Sequence, residues 1–73
     1  MTSAQVRAAR GLLNWTVRDL ADAAQVHRNT VTNIETGRYG GRQDSIASIR
    51  SALEAAGVEF LPPNGGGPGV RLR

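Results

Sequence analysis

Arg28, Asn29, Thr32 and Asn33 stand at i, i+1, i+4 and i+5. At about 100° per residue a helix carries them on one stripe, with Val31 and Ile34 on the opposite side. Each of the four side chains can address a base edge. Arg pairs bidentately with guanine, Asn with adenine, and Thr sets a hydroxyl or its methyl against thymine, a good bidentate pair contributing about 1–3 kcal/mol of discrimination. The same residue types also cover ordinary solvated helix faces, so the stripe takes its meaning from its surroundings.

Those surroundings are four short helices. Thr2 with Gln5 fits a capping box, and Val6, Ala9 and Leu13 recur behind it at helical spacing, predicting helix one over residues 3–13. Thr16 with Asp19 is a second box before Val17, Leu20, Ala21 and Ala24, predicting helix two over 17–24. Residues 25–27 leave room only for a tight turn, and helix three covers 28–36, with Gly37 as its terminator. Asp44 or Ser45 is the expected cap of a fourth helix, whose core face is Ile46, Ile49, Leu53 and Ala56 and which ends at Gly57. The tail predicts a two-stranded hairpin: Val58 and Phe60 with Val70 and Leu72 share one apolar face, Glu59 and Arg71 the other. The fold class is therefore mainly α, a bundle of four short helices over residues 1–57 followed by a β-hairpin over 58–73. A lone two-stranded ribbon is marginal, so the hairpin either closes the core or forms a dimer interface through Val58, Phe60, Val70 and Leu72.

Composition narrows the chemistry. All nine basic residues are Arg and the net charge is +3, which favours partners with planar, bidentate acceptors such as phosphates and guanine edges. Arg38, Tyr39 and Arg42 follow the third helix in a Gly-bearing loop from which they can reach a sugar-phosphate backbone, and Arg18 can do so from helix two. His27, the single histidine, has no Cys or carboxylate cluster at ligand spacing, which points to helix capping or a phosphate contact and not to a metal. Trp15 is a core anchor or a partner contact. The run from Asn64 to Gly69 lacks the spacing and Lys of a phosphate-binding loop. No cysteine supplies a disulfide or a thiolate, and a chain of 73 residues buries too small a core to enclose a deep cavity. No nucleophile–base pair or paired carboxylates can be assembled, so no enzymatic activity and no cofactor are expected. No apolar run approaches the roughly 20 residues of a membrane span and the start lacks a secretory signal, so a cytoplasmic location is expected.

Residues 6–57 resemble the Cro/repressor (XRE) family of helix-turn-helix regulators. The resemblance is carried by Arg10 to Gly37, RGLLNWTVRDLADAAQVHRNTVTNIETG, with its D-L-A segment, T-V-x-x-I-E motif and closing Gly. It implies an ion pair between Arg10 and Glu35 that ties helix one to helix three, and a phosphate contact at Thr16 where helix two begins. Val17 replaces a Gln common in the family, and Gln25 replaces a turn Gly, which implies a left-handed backbone at a residue with a side chain.

The combined expectation is a sequence-specific regulator binding double-stranded DNA as a homodimer, a repressor or autoregulator. Arg28, Asn29, Thr32 and Asn33 meet bases, and Thr16, Arg18, His27, Arg38, Tyr39 and Arg42 meet phosphates. An antitoxin that also grips a toxin protein, and a protein-interaction adaptor without DNA, are the alternatives.

Overall fold

The computed structural model describes residues 1–38, 42–63 and 65–73. Helix α1 (Ser3–Leu12) starts where the Thr2 hydroxyl accepts the Gln5 N–H and the Gln5 side chain accepts the Thr2 N–H, the reciprocal box expected. Its end comes one residue earlier than the apolar spacing indicated. Asn14 takes a left-handed φ of 55°, which lets the Asn14 and Trp15 N–H groups donate back to the Gly11 and Arg10 carbonyls.

Helix α2 (Val17–Ala24) begins on the Thr16–Asp19 box and stops at Gln25, whose φ and ψ of 57° and 43° are the left-handed conformation expected there. Helix α3 (Arg28–Glu35) ends at Thr36, with the Gly37 and Arg38 N–H groups bonded to the Ile34 and Asn33 carbonyls and Gly37 at a φ of 73°. Three successive helices thus close on a left-handed residue.

Helix α4 (Gln43–Ala55) corrects the expected cap. Its N-cap is Arg42, with no side-chain cap bond, and Asp44 and Ser45 both lie inside the first turn. Asp44 there opposes the positive end of the helix dipole and does not accept from it as a cap.

The core is Val6, Ala9, Leu20, Ala21, Ala24, Val31, Ile34, Ile49, Leu53 and Val58, drawn from all four helices and the first strand. Trp15 packs against it together with Leu13, Val17, Val26 and Ile46. Strands β1 (Val58–Leu61) and β2 (Gly69–Leu72) pair antiparallel in the register Val58↔Leu72, Glu59↔Arg71, Phe60↔Val70 and Leu61↔Gly69, which keeps the apolar and charged pairs together as the alternation required. Glu59 and Arg71 form an ion pair across the strands. The Arg50 guanidinium, bonded to Glu54 at 3.3 Å, lies 5.2 Å from the Phe60 ring centroid.

The hairpin packs on α1 and α4. Val58 is fully buried in its own chain's core, so it has no surface to offer a second copy and the dimerisation role expected of it does not stand. Phe60 and Val70 are half-buried against the same core, and Leu72 is 47% exposed. Gln5, only 6% exposed, latches the hairpin: its Nε2 donates to the Gly69 carbonyl at 2.9 Å and to the Leu61 carbonyl at 3.5 Å.

Candidate nucleic-acid interface

Helix α3 buries Val31, Ile34 and Glu35 and exposes Arg28, Asn29, Thr32 and Asn33. Asn29, Thr32 and Asn33 lie farthest from the buried side, and Thr36 shares their stripe by helical geometry. The Thr36 hydroxyl donates to the Thr32 carbonyl at 2.8 Å. Arg28, on the stripe's edge, also lines a cleft with Arg18 and His27.

The start of α3 is capped by His27, whose Nδ1 accepts the Asn29 N–H at 3.0 Å. That bond assigns the neutral ring's proton to Nε2 and leaves Nε2–H as an outward donor. The end of α3 is held from α1. Arg10 Nε and Nη2 donate to the two Glu35 carboxylate oxygens at 2.8 and 3.1 Å, and Arg10 Nη1 donates to the Trp15 carbonyl at 3.0 Å. The hydrogen bond to Glu35, helped by that residue's charge, raises the Arg10 guanidinium above its ordinary range against the opposing effect of burial. Arg7 donates to the Glu35 carbonyl. One turn of α1 therefore grips both the side chain and the backbone of the last residue of α3. This places the Arg10–Glu35 pair where the family resemblance put it. Arg7 was not foreseen, although its i, i+3 spacing to Arg10 sets the two on neighbouring positions of one face.

Around α3 the candidate phosphate contacts are unequal. Arg18 and Arg38 are exposed, and among the described residues neither forms an ion pair within 4 Å. Arg42 is exposed and lies 4.0 Å from Asp44. At Thr16 the hydroxyl already accepts the Asp19 N–H at 3.0 Å, while the Asp19 carboxylate accepts the Thr16 N–H at 2.9 Å. What Thr16 retains for an anion is its hydroxyl hydrogen, beside a carboxylate that repels one. Tyr39 lies outside the described residues.

A helix-turn-helix domain family model matches residues 3–61. The chain belongs to the helix-turn-helix domain family. Comparison with curated proteins returns no match. The matched span of this helix-turn-helix protein runs from α1 through β1, so it includes Val58 and stops short of β2. Helix-turn-helix domains place the second helix of the motif in the major groove, and a DNA-binding regulator is the general class to which this chain belongs. No helix among the described residues is long and apolar enough to cross a membrane.

Proposed function

We propose that this helix-turn-helix protein is a sequence-specific regulator of the Cro/repressor type, binding double-stranded DNA as a homodimer and acting as a repressor or autoregulator. The observation that carries the reading is the outer face of α3. Asn29, Thr32 and Asn33 stand exposed on a helix whose two ends are fixed, by His27 at the start and by Arg7 and Arg10 at the finish. A donor and acceptor set held that rigidly suits base edges, because little side-chain and backbone freedom remains to be lost on binding. Exposed Arg18, Arg28, Arg38 and Arg42 flank it with positive charge for the phosphates.

An eight-residue helix spans about 12 Å and meets only a few base pairs. Two copies related by a two-fold axis would double that number and read half-sites about 34–36 Å apart. Leu72 and the outer strand edges of the hairpin are the surfaces left for such pairing.

The test is selection of bound duplexes from a random pool at near-physiological salt, followed by sequencing. The expected result is a palindromic consensus, altered at single base pairs by Asn29→Ala and Asn33→Ala. Enrichment without a consensus would reduce the role to architectural binding. No retention of duplex would move the assignment to an adaptor.

A further inference from the structure

The first turn of α1, the hairpin and α4 border a groove of about 360 Å³ whose lining includes Gln5, Arg50, Phe60, Leu61, Pro62 and Pro68. That volume falls within the range of about 300–1,000 Å³ typical of small-molecule sites. Its walls are apolar: the Phe60 ring, the Leu61 side chain and proline rings that carry no N–H. Gln5 has no donor left for a ligand, because its Nε2 already donates to the Gly69 and Leu61 carbonyls. Arg50 is the only charged side chain of the lining among the described residues, and its side chain is 48% exposed.

The state of Arg50 sets what the groove can hold. Its guanidinium carbon lies over the Phe60 ring, 5.2 Å from the centroid, and its Nε is bonded to Glu54 at 3.3 Å. These two contacts restrain the group, while among the described residues no hydrogen bond occupies either Nη. A guanidinium restrained in this way presents a planar fork that matches a carboxylate and loses little freedom in binding one. We propose that the groove is a binding site for a small carboxylic acid, whose carboxylate pairs with Arg50 and whose apolar body lies against Phe60, Leu61 and the proline rings. A neutral apolar molecule would leave the Arg50 fork unused, and a bare anion would leave the apolar walls in water. Glu54 shares Arg50 and so limits the affinity. No residue of α3 lines the groove, and the assignment stands independently of the DNA-binding function proposed above.

The experiment uses the full chain and three probes at constant pH and ionic strength: phenylacetate, its neutral counterpart phenylacetamide, and acetate. The resonances of the Phe60 ring and of the Arg50 Nε–H are followed through each titration. Phenylacetate is expected to move both to saturation. It should bind about tenfold more tightly than either control, since one lacks the charge and the other the apolar body. Arg50→Gln, at an exposed position, should weaken phenylacetate about tenfold and leave phenylacetamide unchanged, with Phe60 as the reporter. Circular dichroism verifies that the variant is folded.

Equal binding of phenylacetate and phenylacetamide would make the groove merely apolar and overturn the assignment. Acetate binding as tightly as phenylacetate would overturn it too, as would the absence of saturable movement. A change from dimer to monomer in sedimentation, driven by phenylacetate, would make the groove an interface between copies of the chain and would equally overturn it.

Discussion

Arg10→Met removes the two N–H groups that now hold the Glu35 carboxylate at 2.8 and 3.1 Å. Glu35 is 5% exposed, so water cannot take their place without opening the contact between α1 and α3. Breaking a buried pair from one side costs about 3–5 kcal/mol, against about 0–1 kcal/mol for an exposed pair. The Arg10 side chain is 26% exposed, and its partial hydration places the expected loss near the lower end, about 3 kcal/mol. A chain of 73 residues has roughly 4–11 kcal/mol in total at typical values per residue. With about 4–8 °C per kcal/mol for a domain of this size, the midpoint should drop by roughly 12–24 °C.

Glu35→Leu should cost less than Arg10→Met, because the stranded guanidinium can turn toward water and keep its bond to the Trp15 carbonyl. The double variant should recover part of the loss by leaving no charge in the contact. Urea melts of the four proteins, fitted to a common m-value, give the cycle. A cost below about 1 kcal/mol for Arg10→Met, or a larger cost for Glu35→Leu, would refute the argument that burial of the carboxylate sets the energetics.

Gln25→Gly relieves a left-handed side-chain residue at about 1–2 kcal/mol and gives back about 0.4–1 kcal/mol in unfolded-chain freedom. A net stabilisation of about 0.5–1 kcal/mol is expected in urea melts. Gln5→Leu leaves the Gly69 carbonyl without its donor and opens the first capping box, a loss of about 2 kcal/mol. Amide exchange should report it first in β2, ahead of α2 and α3, and uniform acceleration across the chain would count against a local latch.

Much of this fold is legible in the sequence because its signals are local. The Thr2 and Thr16 boxes, the break at residues 25–27 and the alternation in the tail each name their neighbours within a few positions. The left-handed turn at Gln25 and the Arg10–Glu35 pair follow from the family resemblance. What escaped was set by partners distant in the chain or by turns without a glycine. Asn14 ends α1 early by taking a conformation that its sequence neighbours do not require. Gln5 reads as half of a capping box, yet its amide also reaches across to residue 69. Val58 stands on the apolar face that the alternation gives the hairpin, and only the packing of the hairpin against α1 and α4 decides between a dimer interface and a closed core. At the candidate site the exposed stripe was legible from helical geometry. The cleft shared by Arg18, His27 and Arg28 was not, because it exists only once α2 and α3 are set against each other.

Helix α1 carries commitments at both ends of its ten residues: Gln5 holds the hairpin, and Arg7 and Arg10 hold the last residue of α3. From Gln5 to Arg10 the helix advances about 7.5 Å without a break, so it acts as a strut between the tail and α3. A molecule that twisted or clamped the hairpin would have its displacement delivered to α3 as a rigid movement and not dissipated in a loop. The hairpin, at the other end of the chain, is thereby mechanically close to the outer face of α3.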